Sequence, residues 1–254
     1  MYIPSNKTLK LNLNGHTLKH TGTGASPDDS VIKVEGTLEI TGDGKITGGR
    51  GLTGGGIYIN GGKVIMNGGA IEGNYANQNG GGVYVGANGS FDMTGGSITG
   101  NTATQGQGGG IYANSNIGLY GNSTISNNST EDIYLKNAQI DTGTSFHPSK
   151  AVSVTLANGA GVVTNGNIKY TDGTAKSAFS SQNSAYEVHA NESGQAALKA
   201  VQATPTDTTD PTDPTTPTEP AQPATYTVKL TGGAMPISRA APLRLFPETP
   251  QWPL

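Results

Sequence analysis

The chain of 254 residues contains no cysteine, and its few charged residues, 13% of the total, leave a net charge of −3. The absence of cysteine excludes a disulfide framework and any metal site built from thiolates. A weakly acidic balance offers no basic patch for a nucleic acid and no polybasic tether for a membrane surface. We therefore expect no nucleic-acid partner, no cofactor and no transmembrane segment.

The start of the sequence lacks the features of a secretory signal peptide. The stretch MYIPSNKTLKLNLNGHTLK has no basic n-region and no apolar h-region. Two interpretations follow: either the protein is cytosolic, or Met1 is not the true start of the chain. We favour the second, because apolar and polar residues already alternate in a regular pattern from residue 9.

Glycine is abundant instead, with 39 residues, about twice the ordinary share of roughly 7%. Collagen would require glycine at every third position, and a disordered chain would lack the clustered Ile, Val and Leu of residues 1–200. The excess of glycine therefore indicates many tight turns in a folded chain.

A repeat explains these turns. The stretch MNGGAIEGN at 66–74 returns 27 residues later as MTGGSITGN at 93–101. Apolar residues recur with it at intervals of 26 to 28 residues over most of their length. The predicted columns are Leu11, Leu38, Val64, Phe91 and Ile117; Leu13, Ile40, Met66, Met93 and Leu119; Leu18, Ile46, Ile71, Ile98 and Ile125; Ile32, Ile57, Val83, Ile111 and Ile133; and Val34, Ile59, Val85, Ala113 and Leu135.

Within each repeat the apolar residues stand at i and i+2, as in Ile57 and Ile59, which is the period of a β-strand with one buried face. Winding in one direction brings each strand parallel to its counterpart one repeat later and stacks equivalent residues. The pattern therefore predicts an all-β fold, a single-stranded parallel β-helix. We interpret Asn74, Asn101 and Asn128 as a structural ladder at one corner, and the glycine triplets 54–56, 80–82 and 108–110 as tight backbone turns.

The segments LKLNLNGHTL and GGGVYVGANGSFDMTGGSITGNTA resemble the right-handed parallel β-helix repeats of bacterial exported surface proteins, within the pectate-lyase-like superfamily of folds. The resemblance covers roughly residues 5–200. It implies a right-handed solenoid whose last coil is closed by a cap, because an open coil would expose its strand edge and its apolar interior. Fold resemblance alone does not imply an activity.

The chain is predicted to have three parts. Residues 5–201 form the β-helix, in which VSVTL at 152–156 and GVVTNGNIKYT at 161–171 read as strands, and 186–201 as two strands around a turn at Asn191 to Gly194. Residues 202–224 form a linker rich in Pro, Thr and Asp, and residues 225–254 begin a further β module that is truncated or aberrant, so that the tail is disordered. A linker after a β-helix favours a module displayed outside a bacterial cell or on its surface.

Some relatives of this fold cleave polysaccharides, so acidic and basic residues were considered for catalysis. Glu39 and Asp92 share an outward column with Ile65 between them, at a separation of about 9.6 Å if each coil rises by the strand spacing. That gap suits an inverting glycosidase, but an apolar Ile65 is a poor floor for a sugar. Asp43 and Arg50 complete the candidates if the protein is an enzyme, which we regard as the less favoured alternative.

Metal binding has little support in the sequence. Asp28 and Asp29 in GASPDDS invite a calcium site, but an acidic surface loop is the better interpretation. The four histidines have no clustered partners in sequence, which disfavours a histidine-based site. We therefore predict no metal site.

One outward column is aromatic. Tyr58, Tyr84, Tyr112 and Tyr134 each stand between the two inward residues of equivalent strands, with Lys33 one repeat earlier. The favoured interpretation is that cross-strand contacts between these rings stabilise the sheet. The functional alternative is a flat aromatic strip that lies against sugar rings or a partner surface.

Three functions remain open. The first is a non-catalytic, adhesin-like monomer that presents a binding face to a polysaccharide or to a host or community surface protein. The second is a polysaccharide lyase or glycosidase, and the third is a structural spacer. We favour the first, because the tyrosine column is continuous and the acids do not converge on one site.

Overall fold

The computed structural model describes residues 1–22, 29–143, 146–166 and 168–202. Within them the chain forms short β-strands and one helix. The strands of the first half are β1 (Tyr2–Ile3), β2 (Thr8–Asn12), β3 (His16–Lys19), β4 (Ile32–Val34), β5 (Thr37–Thr41), β6 (Gly44–Thr47), β7 (Arg50–Gly51), β8 (Ile57–Ile59), β9 (Lys63–Met66), β10 (Ala70–Glu72), β11 (Tyr75–Ala76), β12 (Val83–Val85) and β13 (Ser90–Met93).

The second half continues the same sequence of short elements. They are β14 (Ser97–Thr99), β15 (Thr102–Ala103), β16 (Ile111–Ala113), β17 (Ile117–Leu119), β18 (Thr124–Ser126), β19 (Ile133–Leu135), β20 (Ile140–Asp141), β21 (Val152–Leu156), β22 (Gly161–Val162), α1 (Asp172–Ala178), β23 (Phe179–Ser181), β24 (Tyr186–Ala190) and β25 (Ala196–Ala200).

Strands from successive coils pair in parallel and build the walls of a solenoid. The orders are β1-β4-β8-β12-β16-β19-β21-β23 in the first sheet, β2-β5-β9-β13-β17-β20 in the second, β3-β6-β10-β14-β18 in the third and β7-β11-β15 in the fourth. No pair in these four sheets is antiparallel within the described residues. The predicted all-β parallel solenoid is therefore confirmed, whereas its right-handed sense stays a prediction.

The interior is filled by the predicted columns. In the central coils the inward residues, such as Ile57, Met66 and Phe91, are fully buried. Val83 pairs with Ile57 on one side and with Ile111 on the other, and Ile98 lies between Ile71 and Ile125. Like side chains stack from coil to coil, so each coil adds one apolar layer to a continuous core.

The first coil corrects two of these columns. Leu9, not Leu11, pairs with Leu38, and Leu11, not Leu13, pairs with Ile40. The corner between β2 and β3 is longer than the corresponding later corners, so the constant spacing predicted from the repeat was wrong here by two residues. Leu13 lies in that corner and turns into the core, with 4% of its surface exposed.

The asparagine corner is confirmed as a structural ladder. Asn74 Nδ2 and the Asn74 backbone N–H both donate to Asn101 Oδ1 at 3.0 Å, and Asn101 repeats both bonds with Asn128. Asn101 Nδ2 also donates to the Ile71 carbonyl at 2.9 Å. Each amide thus satisfies backbone groups at a corner where the strand ladder is interrupted.

The glycine triplets lie against one another. Backbone bonds join Gly55 to Gly80 at 3.1 Å and Gly81 to Gly108 at 3.1 Å. A Cβ on Gly109 would collide with the carbonyl of Ser129 in the next coil. Glycine is therefore required for close approach of backbones, as the sequence indicated.

The C-terminal end is closed by a different arrangement. Strands β24 and β25 form an antiparallel hairpin, and β22 pairs with β25. Helix α1, which the sequence analysis did not predict, is capped by Thr171, whose hydroxyl accepts from the Thr174 N–H. Of the predicted strand region 161–171 only β22 is a strand. The predicted hairpin at 186–201 is confirmed, and Leu198 joins the core of the solenoid.

The opposite end lacks such a cover. Leu9, Leu11 and Leu18 of the first coil are only partly buried, and Tyr2 is 54% exposed. Among the described residues, no helix has the length and apolar character needed to cross a membrane. The predicted linker, apart from residue 202, and the predicted module at 225–254 lie outside the described residues.

Candidate functional site

The central feature of the first sheet is its column of tyrosines. Strands β8, β12, β16 and β19 each place two apolar residues inward and one tyrosine outward. The pairing brings the four rings into register, since Tyr84 lies opposite both Tyr58 and Tyr112, and Tyr112 lies opposite Tyr134. We call these four residues the tyrosine ladder.

The rings of the tyrosine ladder stack on one another. Their centroids are 5.4, 5.3 and 5.2 Å apart along the ladder, and the angles between ring planes are 22°, 7° and 14°. Near-parallel planes at this separation form an offset stack, in which each ring covers part of the next ring's face. The surface is therefore a series of ring edges, hydroxyl groups and uncovered parts of faces, rather than the flat strip expected from the sequence.

Packing within the ladder affects the phenol groups. Burial raises the pKa of Tyr84, and the neighbouring Tyr58 raises it further. The pKa of Tyr112 is raised by burial and then by Tyr84 and Tyr134. Both hydroxyls therefore remain protonated well above neutral pH and keep their ability to donate hydrogen bonds.

The first end of the tyrosine ladder is charged. Lys33 pairs with Tyr58 as predicted, and on its other side it pairs with Tyr2 of β1. The Lys33 Nζ lies 5.7 Å from the Tyr2 ring centroid, and the Tyr2 hydroxyl donates to Glu35 at 2.6 Å. The sequence analysis missed Tyr2, although its dipeptide Tyr-Ile matches the last two residues of the Ile-Tyr-Ile strand β8.

The two acidic candidates for catalysis lie on the second sheet. Ile65 pairs with both Glu39 and Asp92, so the two carboxylates are two coils apart, as predicted. Lys10 Nζ lies 3.2 Å from Glu39 Oε2, and Lys63 Nζ lies 3.0 Å from Asp92 Oδ2. Each carboxylate is thus held by a lysine on the open face of the sheet.

The other two catalytic candidates are not brought to these carboxylates by the fold. Arg50 is on the fourth sheet, where its guanidinium lies 5.3 Å from the Tyr75 ring centroid. Asp43 lies in the corner between β5 and β6. The structure therefore distributes the candidate acids and bases over separate walls of the solenoid.

The described residues contain no group of three or more His, Asp or Glu side chains that could hold a metal ion. Asp29 lies 3.8 Å from the Nε2 atom of His20, a contact that the sequence did not indicate. Asp28, the other half of the considered calcium site, lies outside the described residues.

Two buried acids were missed by the sequence analysis. Residues 130–132 stand in the coil position that glycine triplets occupy in earlier coils, so that Glu131 and Asp132 are 4% and 5% exposed. Asp132 ends the asparagine ladder by accepting from Asn128 Nδ2 at 3.0 Å and from the Ser153 hydroxyl at 3.0 Å. The departure from glycine in an otherwise regular column was the available signal.

Glu131 is the less satisfied of the two. Its carboxylate accepts the Gly108 N–H, and the Gln107 amide reaches its two oxygens at 3.1 and 3.2 Å. Burial raises the pKa of Glu131 and outweighs these hydrogen bonds, and the Asp132 charge adds to the increase. This arrangement serves the turn of one coil and reaches neither the tyrosine ladder nor the catalytic candidates.

Comparison with models of protein families, with curated proteins and with solved structures found no match to this chain.

Proposed function

We propose that this protein is a non-catalytic binding protein, outside the cell or on a bacterial cell surface, that holds an extended glycan against the tyrosine ladder. The observation that carries the proposal is the regular succession of four stacked rings, one in each of four consecutive coils. A repeating surface offers the same contact at each step to a polymer made of repeating units. The location rests on the resemblance of the repeats to those of exported surface proteins.

The chemistry of the tyrosine ladder suits a sugar polymer. Ring edges and uncovered parts of the faces provide apolar contact for the C–H groups of a sugar, while the hydroxyls donate and accept hydrogen bonds. Lys33 brings a positive charge to one end only. The ligand is therefore a mainly neutral chain that lies along the solenoid axis.

A protein strand fits this surface less well. Strand addition requires an unpaired sheet edge with free N–H and C=O groups. The ladder strands β8, β12 and β16 are paired on both sides, so their backbone groups are already used. Side chains alone are left for binding, which favours a glycan.

The proposal is tested by screening residues 1–254 against a glycan array and measuring the affinity of the best ligand by calorimetry. Tyr84→Ala and Tyr112→Ala should weaken binding at least about tenfold, since each removes a ring from the middle of the ladder. Tyr75→Ala is the matched control, because Tyr75 is exposed on another sheet. Circular dichroism confirms that each variant keeps its fold.

A second assay separates binding from catalysis. Soluble pectins, alginate and glycosaminoglycans are incubated with the protein, and newly formed chain ends are measured. Cleavage that is lost in Asp92→Asn would replace the proposal by an enzymatic function. Absence of both binding and cleavage would leave the structural spacer, and a hit restricted to a protein array would indicate a protein partner.

A further inference from the structure

The second end of the tyrosine ladder differs from the first, because it opens into a pocket. The residue after Tyr134 in the column is Thr155, which pairs with it. No further tyrosine covers the outer face of Tyr134 at this position. A pocket of about 420 Å³ lies there, between the last ladder ring and the C-terminal hairpin.

The pocket has an apolar floor and an aromatic far wall. Leu156 and Leu198 line it together with Tyr186, the first residue of β24. A Cβ on Gly159 would collide with the Tyr186 hydroxyl, so glycine allows this ring to stand against the turn. Tyr134 and Tyr186 thus bound the same space from two different parts of the fold.

Two hydrogen-bonded turns fix the remaining walls. In the first, the Gly159 N–H donates to the Leu156 carbonyl at 2.9 Å. In the second, the Tyr186 N–H donates to the Asn183 carbonyl at 3.0 Å, and the Ser181 hydroxyl donates to the same oxygen at 2.8 Å. Walls held in this way are formed before a ligand arrives, which reduces the entropy lost on binding.

The polar groups of the pocket are neutral. Asn158 lines it with a side-chain amide that forms no hydrogen bond within the described part of the chain, and the same holds for the Tyr186 hydroxyl. None of the described lining residues is charged. The pocket therefore offers an aromatic face, an amide and hydroxyl groups, without a cation that would attract an acid.

We infer that this pocket binds one neutral sugar residue, stacked on the outer face of Tyr134 and hydrogen-bonded by Asn158. The inference rests on the proposed function and deepens it, because it names the neutral sugar as the ligand class and places one unit of the chain at the end of the ladder. A pyranose has an apolar face for a ring and equatorial hydroxyls for an amide, and a pocket of this size is within the range for small ligands. An uronic acid would lose its hydration without gaining a counter-charge.

The experiment uses neutral hexasaccharides of glucose, mannose and galactose and an oligogalacturonate of equal length, titrated into the full chain by calorimetry. The variant Thr155→Tyr adds a ring one step beyond Tyr134, which fills the pocket at a strand position where an aromatic residue is well tolerated. Tyr186→Leu keeps apolar bulk but removes the aromatic wall, and Asn158→Ala removes the amide. Asn60→Ala, an exposed asparagine of another coil, is the control.

At least one neutral hexasaccharide should bind about tenfold or more tightly than oligogalacturonate, and each pocket variant should weaken it about tenfold. Asn60→Ala should leave the affinity within about twofold. Saturation-transfer NMR should place a single sugar residue, not several, against Tyr134 and Tyr186.

Failure of the two proposals can be told apart. If Tyr84→Ala weakens binding and the pocket variants do not, the pocket inference is wrong and the ladder function stands. If only the pocket variants weaken binding, the pocket stands without the ladder. Tighter binding of the acidic oligosaccharide or of a tyrosine-containing peptide overturns the inference, and so does the absence of binding by every probe.

Discussion

At the scale of single residues, the side chains with the largest structural role are amides, not apolar groups. Asn101 is fully buried and bonds backbone groups of its own coil and of both neighbouring coils. Removal of such a residue leaves donors and acceptors without partners in a place that water does not reach, and each costs about 1–3 kcal/mol.

We therefore expect Asn101→Ala to lower the free energy of unfolding by at least about 2 kcal/mol, because the Asn74 N–H and the Ile71 carbonyl both lose their partner. Urea unfolding followed by circular dichroism measures this change. Asn122→Ala is the control, since Asn122 is exposed and should change stability by no more than about 0.5 kcal/mol. Equal effects of the two substitutions would contradict the structural role of the ladder.

Glu131 predicts a dependence of stability on pH. Its pKa in the folded protein is raised above the ordinary value of 4.5, so the unfolded chain loses this proton first. The stability that depends on the protonated form is complete below pH 4.5 and is lost as the pH rises through the folded pKa.

Glu131→Gln keeps an acceptor for the Gly108 N–H but cannot ionise. The variant should melt at a higher temperature than the parent near neutral pH, and the difference should shrink as the pH falls below 4.5. Scanning calorimetry over this range tests it, with Glu187→Gln, an acid exposed on the C-terminal hairpin, as the control. A lower melting temperature for Glu131→Gln near neutral pH would show that the ionised carboxylate stabilises the corner.

At the scale of elements, the two faces of a strand have opposite tolerance to charge. Met93 of β13 is fully buried, whereas its neighbour Asp92 points outward to Lys63. Met93→Asp should prevent folding, because an unpaired carboxylate in the core costs several kcal/mol. Asp92→Asn should cost no more than about 1 kcal/mol, the usual value of an exposed ion pair.

Circular dichroism and thermal melting of the two variants distinguish these outcomes. A folded Met93→Asp protein with the melting temperature of the parent would mean that the inward columns are wrong. The pair is well matched, since the two positions are adjacent and both introduce or remove a single charge in one strand.

The elements also show what the sequence could and could not predict. The inward columns from Leu38 onward were predictable because burial of one face imposes a period of two residues in a strand and stacking imposes the coil length. The first coil was not, since its longer corner hides the shift from a fixed spacing. Helix α1 was missed because a single helix of seven residues has too few turns to show a periodic pattern.

The candidate site follows the same division. That Tyr58, Tyr84, Tyr112 and Tyr134 form an outward column could be predicted from alternation alone. Their offset stacking could not, because side-chain rotation is set by contacts between rings and not by position in the repeat. The pocket at Tyr134 was equally hidden, since Tyr186 and Asn158 come from segments outside the regular period.

At the scale of the molecule, the solenoid has two unlike ends. The C-terminal end is covered by the β24–β25 hairpin and α1, whose Val188 and Ala175 are buried in the common core. At the other end β2 and β3 are edge strands, and the inward leucines of that coil are only partly buried. In a solenoid each coil is stabilised only by its neighbours, so a coil with one neighbour opens more easily than a coil with two.

This asymmetry predicts a gradient of amide hydrogen exchange along the axis. The amides of β2 and β3 should be at least about tenfold less protected than those of β12 and β13, a difference of about 1.4 kcal/mol in opening free energy. The amides of β24 and β25 should stay closer to the central value, because they pair with each other and Leu198 is buried between them and the last coils. Exchange measured by NMR or mass spectrometry gives this profile directly. Equal protection of β2 and β13 would mean that the coils open together, so that the partly buried leucines contribute as much to cohesion as the fully buried core.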